Sequence, residues 1–530
     1  YKVYRFSLLP CLLGALLCLP ASLAQVQSGA LEMITPWNTD FLDAEETALP
    51  QAMWENSDLG FVVDTFETLE ISALTPAEKA LLSRLLRSPA KAPDKIFTEP
   101  LLKWRAKFLL ELGQSQAASM LYADRARLYK DEADEAVAID LQMAAGNTQA
   151  ACYDSLNNAK ATPFWARLRV ICLTLEDNYT GAELAIEFAN VAGVRDPWLA
   201  RAVFAASGDL PEKPAARYGT GLDLILSEKA GLPVSTTTLI ESRLDLAVRL
   251  AQNENLALEY RALAAGTASE AGLIDAAAHR QIYQALMDKD GYEPRTPLEV
   301  ALITNQKSPS DLAGRTRTLK NALDSARRDP ARFQAVSRLL MADIKALPVT
   351  DITADKALDF AYASLAANNL EEAARWLETE SEAPGFSMLM AKAVQFLAMP
   401  APSPEASESV SAALIDSAQE VEQIKSVQQI FTLWSGLGLP LPSQARRFMV
   451  EFQDSQTSTP PYHMQALQAA AADGAGAEVI TQILALTAGA PQNLHPGDMA
   501  QICAALNKLG QANLARNLAL EATGYWQADG

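Results

Sequence analysis

The fold can be predicted from three short stretches: FLLELGQSQA (108–117), IDLQMAAGNTQA (139–150) and VICLTLEDNYTGA (170–182). In each, an apolar run ends at a small or turn-forming residue, and an alanine four positions later opens the next run. The turns fall at Gly113, Gly146 and Asn178, at intervals of 33 and 32 residues. This is the period of stacked helix hairpins of the tetratricopeptide kind. The sequence therefore predicts an all-α fold, an α-solenoid of antiparallel helix hairpins with degenerate repeats.

The same pattern returns in LAANNLEEAA (365–374) and in LGQANLA (509–515), so Asn369 and Gly510 are also predicted repeat turns. Glycine and asparagine suit these places because they tolerate the positive φ of a helix end. The period cannot be followed through residues 200–340. We predict a helical-repeat array over 75–398, a proline-rich linker over 399–409 and C-terminal helical repeats over 410–530. Each hairpin is expected to contact only its neighbours.

The N-terminal residues resemble an export signal. Lys2 and Arg5 precede an apolar run over 6–19, and small residues lead up to Ala24. We predict a signal peptide over 1–24. A retained membrane anchor is the alternative, but the run of about 14 residues is shorter than the roughly 20 that a bilayer requires.

Residues 25–74 differ in composition from the rest, since large apolar residues alternate with proline, threonine and acidic residues. We interpret them as an extended leader packed on the first repeats, with a short strand around 60–63; a flexible segment is the alternative. The first regular helix is predicted to begin at Thr75-Pro76-Ala77-Glu78, which has the pattern of a capping box.

Two cysteines are placed symmetrically about a turn. Cys152 and Cys172 lie on two successive predicted helices, each ten residues from Thr162 in the turn between them. Positions equally far from the turn of an antiparallel hairpin lie opposite each other, so we predict a disulfide, which would form in an oxidising compartment. Two buried cysteines without a bridge are the alternative. Cys503 is predicted to be a core residue with a free thiol.

The charge and the motifs exclude several classes of function. The formal net charge is −20, which repels phosphate backbones and argues against a nucleic-acid partner. No later stretch is long and apolar enough to span a membrane. The three histidines, His279, His463 and His495, are far apart and lack metal-ligand spacing. We find no nucleophile elbow, phosphate loop or zinc motif, so we predict no catalytic, cofactor-binding or metal residue and no cofactor.

One family resemblance is carried by FWARLR (164–169) before Cys172, by LLRSP (85–89) and by Leu112-Gly113. Over about residues 75–265 the chain resembles an uncharacterised family of exported bacterial helical-repeat proteins, tetratricopeptide-like and sometimes labelled antifreeze polyproteins. We set that label aside because ice-binding surfaces need regular flat arrays of Thr or Ala. The resemblance implies a Gram-negative periplasmic setting and no catalytic residues.

Two functions of different class follow as hypotheses. The first is a non-catalytic periplasmic scaffold for protein–protein interaction, in an envelope assembly for motility, secretion or polysaccharide export. The alternative is a cell-wall glycan hydrolase or a glycan-binding protein, which aromatic residues and paired carboxylates lining one cleft would favour. The sequence indicates neither the identity of the partner nor the oligomeric state.

Overall fold

The computed structural model describes residues 35–157, 160, 162–191, 193–208, 210–378, 385–451 and 458–527. These residues form 28 α-helices and three short 3-10 helices, and none of them belongs to a β-strand. The predicted all-α class is confirmed. The chain divides into a unit over 1–35 and a compact unit over 36–530. The predicted signal peptide over 1–24 lies outside the described residues, as does nearly all of the first unit.

The first fourteen helices are α1 Leu59–Thr68, α2 Pro76–Arg87, α3 Lys95–Glu111, α4 Ser115–Tyr129, α5 Glu132–Ala144, α6 Thr148–Asn157, α7 Pro163–Leu175, α8 Tyr179–Val191, α9 Pro197–Ser207, α10 Gly221–Ala230, α11 Thr236–Ile240, α12 Ala247–Gln252, α13 Leu258–Glu270 and α14 Ala276–Met287. The 3-10 helices span Ile71–Ala73, Leu244–Leu246 and Pro491–Asn493.

The remaining helices are α15 Pro297–Lys307, α16 Leu312–Ala326, α17 Pro330–Lys345, α18 Asp351–Ala354, α19 Ala357–Ala366, α20 Leu370–Leu377, α21 Phe386–Ala398, α22 Pro404–Ser417, α23 Val421–Leu437, α24 Ser443–Glu451, α25 Pro461–Ala472, α26 Gly476–Thr487, α27 Pro496–Lys508 and α28 Ala512–Ala522. Most consecutive helices pack against each other, as in helical repeats.

One turn recurs six times in the described part of the chain. It has three residues, and the middle residue adopts the left-handed conformation. The middle residues are Gly113, Gly146, Asp177, Asn368, Gly474 and Gly510. In each case the next residue donates its N–H to the carbonyl five positions back, as Gln114 does to Leu109 at 2.8 Å. This Schellman bond closes the first helix of the hairpin.

The predicted repeat turns at Asn178 and Asn369 lie one position after the left-handed residue. Their side chains start the following helix instead: Oδ1 of Asn178 accepts from the N–H of Gly181 at 3.0 Å, and that of Asn369 from the N–H of Glu372 at 3.2 Å. In Asp177-Asn178 and in Asn368-Asn369, both residues tolerate positive φ. The second residue is needed as the N-cap of the next helix, so the first one adopts the left-handed conformation. The turn at Gly474 was not predicted from the sequence.

The predicted disulfide is present. Cys152 in α6 and Cys172 in α7 are bonded, with their Cα atoms 5.4 Å apart. Cys503 is buried with a free thiol, and burial raises its pKa to about 12. That thiol is therefore a core group and not a reactive one.

The N-terminal segment 36–58 connects the two ends of the described chain. The N–H of Leu49 donates to Ser88 after α2, and Gln511 before α28 donates to the carbonyl of Ala48 at 3.1 Å. The N–H of Ala477 in α26 donates to the carbonyl of Met53. The expectation that each hairpin contacts only its neighbours is therefore wrong, because α2 also packs on α26 and α28.

The predicted strand around 60–63 is also wrong. Helix α1 occupies these residues, and Asp58 caps it by accepting from the N–H of Phe61 at 3.1 Å. Leu59, Val62 and Phe66 are the buried residues of α1, at a helical spacing. The capping box predicted at Thr75 and Glu78 is confirmed at the start of α2.

Helix α10 is buried on all sides. It packs on α5, α7 and α9, and so covers a surface that these helices would otherwise expose. Asp140 in α5 accepts from the N–H groups of Gly221 and Leu222, both at 2.9 Å, and from Arg243 at 2.7 Å. A Cβ at Gly221 would lie 2.1 Å from the carbonyl oxygen of Asp140, so no larger residue fits. The surface that α5, α7 and α9 share is therefore covered by the chain itself.

The predicted linker over 399–409 holds the start of a helix. Helix α21 ends at Ala398 and α22 begins at Pro404, where the hydroxyl of Ser403 accepts from the N–H of Ala406. Serine followed by proline is the start signal of a helix as well as a linker composition. Helix α21 contacts α19 on one side of this connection and α23 and α28 on the other.

A buried carboxylate lies where α28 meets α2. Glu521 accepts from the N–H of Ala77 at 2.9 Å, close to the buried carboxylate of Glu78. Burial raises the pKa of Glu521 from 4.5 to about 8, and the charge of Glu78 adds to the effect. The folded protein therefore holds a proton on Glu521 at neutral pH.

Glu521→Gln is expected to stabilise the protein at alkaline pH. Between pH 4.5 and 8 the folded state keeps a proton that the unfolded state releases, so the contribution of Glu521 to stability is full below pH 4.5 and falls as the pH rises to 8. The variant lacks this loss and should exceed the wild type by on the order of 2 kcal/mol above pH 8. Denaturant unfolding between pH 5 and 9 measures the difference. Glu67→Gln, on the exposed side of α1, is the control, and a Glu521→Gln curve parallel to the wild type would contradict the assignment.

Candidate functional site

Large apolar side chains are exposed on the second helices of three successive hairpins. Met120, Tyr153 and Leu184 each lie seven residues after the left-handed turn residue of their hairpin. Phe188 and Val191 follow on the same side of α8, one and two turns after Leu184. The exposed fractions are 48%, 70%, 54%, 65% and 89% from Met120 to Val191. We call these five residues the α4–α8 face.

Negative charge borders the α8 part of this face. Glu183 and Glu187 are exposed beside Leu184 and Phe188, and α8 contains no Lys or Arg. Neither carboxylate forms an ion pair with a described residue. The result is an apolar stripe with an acidic edge, on a chain whose overall charge has the same sign.

The disulfide fixes the middle of the face. Cys152 immediately precedes Tyr153 in α6, and Cys172 holds α6 to α7. Helix α7 in turn packs closely on α8, which carries Leu184, Phe188 and Val191. The bridge therefore limits how far Tyr153 can move relative to the α8 residues.

A cleft of about 860 Å³ lies elsewhere in the fold, between α13, α14, α15 and α17. Three tyrosines, Tyr260, Tyr283 and Tyr292, line it. Leu286 and Val336 are buried residues that contribute apolar surface. We call it the tyrosine cleft. Its volume is in the range of clefts that hold small molecules in other proteins.

A buried histidine lines the tyrosine cleft. His279 is 2% exposed, and neither ring nitrogen has a hydrogen-bond partner among the described residues. Its ring packs against that of Tyr283, with centroids 5.3 Å apart. Burial lowers the pKa of His279 to about 4, so the imidazole is neutral at pH 7. It offers one N–H donor and one acceptor nitrogen.

The charged residues of the tyrosine cleft balance each other. Three carboxylates and three cations line it, namely Glu259, Glu270, Glu299, Lys289, Arg295 and Arg332. Lys289 pairs with Glu259 at 2.7 Å. Glu299 caps α15 by accepting from the N–H of Arg295 at 2.6 Å and of Thr296 at 3.2 Å. Two of the three carboxylates thus already have structural partners.

One wall of the tyrosine cleft contains a glycine, Gly266, which adds no side chain to the cleft. Gly266 lies inside α13, where glycine is less favourable than alanine. A Cβ built on it would meet no atom within 4 Å. Packing therefore does not require glycine here, and the missing side chain leaves space in the cleft at this point.

Gly266→Ala is expected to stabilise the protein by about 0.5–1 kcal/mol, because it removes the entropic cost of a helical glycine without a clash. Thermal unfolding measures the change. Gly436→Ala in α23 is the matched comparison: its Cβ would lie 2.4 Å from the Cα of Ala500, so that variant should be destabilised. Equal changes in the two variants would contradict the assignment of Gly266.

From the sequence, His279 was expected to be structural or incidental, and its spacing already indicated burial. His279, Ile282, Tyr283 and Leu286 have the spacing of one helix face. His495 lies far along the chain and caps α27 by accepting from the N–H of Gly497 at 3.0 Å. In the described part of the chain, no three His, Cys, Asp or Glu residues form a group that could hold a metal ion.

Among the described residues, no helix is both long and apolar enough to cross a membrane. Comparison with protein-family models, with curated proteins and with solved structures finds no match to this chain. The resemblance to exported helical-repeat proteins stays a prediction.

Proposed function

We propose that the chain is a non-catalytic scaffold of the periplasm, built as a tetratricopeptide-like α-solenoid, that docks a protein partner through the α4–α8 face. The single observation that carries this proposal is the recurrence of Met120, Tyr153 and Leu184 at one repeat position, all exposed. Hairpins that stack by a common operation place equivalent positions in a row. Large apolar side chains in a row on a protein surface are typical of an interaction site.

The partner is an amphipathic helix with basic flanks. Leu184, Phe188 and Val191 follow the ridge of α8, which suits the apolar stripe of another helix. Glu183 and Glu187 along that stripe favour lysine or arginine on the partner. A second copy of this chain is a poor match because its net charge is −20, and anionic lipid headgroups are disfavoured for the same reason.

The location of the docking surface also agrees with the packing of α10. This helix covers surfaces of α5, α7 and α9, which leaves the second helices α4, α6 and α8 for a partner. The compartment is supported by the disulfide, since such bridges persist in oxidising surroundings. Within that setting we place the scaffold in an envelope assembly for motility, secretion or polysaccharide export.

Photo-crosslinking in the native cell envelope tests the proposal. A benzoyl-phenylalanine at position 188 is expected to give one discrete adduct, whose crosslinked peptide is a basic amphipathic helix. The same residue at Val421, which is 66% exposed compared with 65% for Phe188, serves as the matched control and should give no such adduct. Adding Leu184→Ser should weaken the adduct at 188. Absence of that adduct, the same adduct at both positions, or a product of two copies of this chain would refute the proposal.

A further inference from the structure

We propose that the tyrosine cleft binds an uncharged saccharide. This inference goes beyond the docking function and does not rest on it, because the cleft is formed by α13 to α17 and the docking face by α4 to α8. It concerns binding alone and assigns no reaction to the chain.

The walls of the cleft restrict how a ligand can be recognised. They are largely helices, whose backbone N–H and C=O groups are already bonded along the helix. A peptide that needs backbone partners finds few of them there. The polar groups of the ligand must instead meet side chains, and these include His279 and the tyrosine hydroxyls.

His279 is the polar group that a ligand would satisfy. A buried polar side chain without a partner costs about 1–3 kcal/mol, and a ligand hydroxyl that bonds one ring nitrogen recovers part of that cost. A neutral imidazole both donates and accepts. A sugar hydroxyl also does both, so it can bond whichever ring nitrogen it reaches.

The other lining residues favour the same ligand class. Tyr260, Tyr283 and Tyr292 provide aromatic surface on which the C–H face of a pyranose ring packs. The equal numbers of carboxylates and cations give no net attraction for a phosphate or an ammonium group. Glu259 and Glu299 are held by Lys289 and by the α15 N-terminus, and this favours binding over glycoside hydrolysis.

Calorimetric titration of the full chain at pH 7 tests the inference, with maltotetraose, cellotetraose and the N-acetylglucosamine tetramer as probes. At least one is expected to bind with a Kd of about 0.01–1 mM. Gly266→Leu, which puts a side chain into the cleft, should weaken binding at least about 10-fold without lowering the unfolding temperature. Gly385→Leu, also in open space but at the start of α21, is the matched control and should bind as the wild type does.

Tyr260→Ala is a second variant in case Gly266→Leu fails to fold, and it should weaken binding to a similar extent. The inference is overturned if the wild type binds none of the three saccharides at about 10 mM. It is also overturned if both variants bind as tightly as the wild type, or if inorganic phosphate or tetra-alanine binds in preference to every saccharide.

Discussion

Asp140→Ala is expected to lower the free energy of unfolding by about 3–5 kcal/mol. The carboxylate is 6% exposed and accepts from the N–H groups of Gly221 and Leu222 and from Arg243. Without it, the N-terminus of α10 is buried against α5 with two donors unsatisfied and one cation short of a partner. Because α10 also packs on α7 and α9, its loosening should spread through the first hairpins.

Hydrogen exchange provides a residue-specific measurement of this effect. The Leu222 amide should exchange about 200- to 5,000-fold faster in Asp140→Ala, in step with the lost stability. Asp140→Asn keeps one acceptor oxygen and should fall between the variant and the wild type. Asp131→Ala is the control, since Asp131 only caps the start of α5 and its removal should cost about 1 kcal/mol. A loss in Asp140→Ala no larger than that in Asp131→Ala would refute the role given to Asp140.

Removal of the disulfide is expected to cost about 3 kcal/mol. The bridge closes a loop with a sequence separation of 20, which gives this magnitude in the chain-entropy model. Cys152→Ala/Cys172→Ala should therefore unfold at a lower temperature than the wild type, and a reductant should bring the wild type close to it. Cys503→Ala should retain its response to reductant, because this thiol takes no part in the bridge.

Thiol counting in cells tests the disulfide together with the proposed compartment. The predicted mature chain contains Cys152, Cys172 and Cys503. Denatured without reduction, it should react with a thiol-specific reagent once, and after reduction three times. Three modifications without reduction would contradict a disulfide-bonded, exported protein.

Local sequence patterns were enough to predict the all-helical class, one helix cap, the disulfide and several of the turns between helices. The capping box at Thr75 and Glu78 involves residues three apart, and the Cys152–Cys172 bridge follows from the symmetry of one hairpin. Gly113, Gly146 and Gly510 also have the left-handed backbone expected of repeat turns. All of these features depend on residues within one hairpin.

Features that depend on distant residues were not predictable from one sequence. The bond from Ala77 to Glu521 joins residues 444 apart, and no periodicity identifies such a pair. The placement of α10 against α5 likewise depends on Asp140 meeting Gly221. Helix α1 was mistaken for a strand because a short apolar run around Gly60 fits either structure until its packing is known.

The two candidate surfaces differ in how far the sequence indicated them. The shared position of Met120, Tyr153 and Leu184 could have been found by aligning the repeats, but their exposure could not, since an apolar residue in a helix is usually buried. The tyrosine cleft combines residues from several helices between 236 and 336. This region lies within residues 200–340, through which no repeat period can be followed, so sequence spacing could not bring these residues together.

The affinity of the partner for the α4–α8 face is the most direct test of the docking function. Once crosslinking at position 188 has identified the partner segment, calorimetry can compare the wild type with Leu184→Ser/Phe188→Ser/Val191→Ser. We expect at least about 100-fold weaker binding, since interface residues of this kind contribute roughly 1–2 kcal/mol each, and an unchanged unfolding temperature because all three are exposed. Val349→Ser/Ile352→Ser/Val421→Ser, also exposed apolar residues, should bind as the wild type does. Equal affinity of the wild type and the α8 variant would contradict the account.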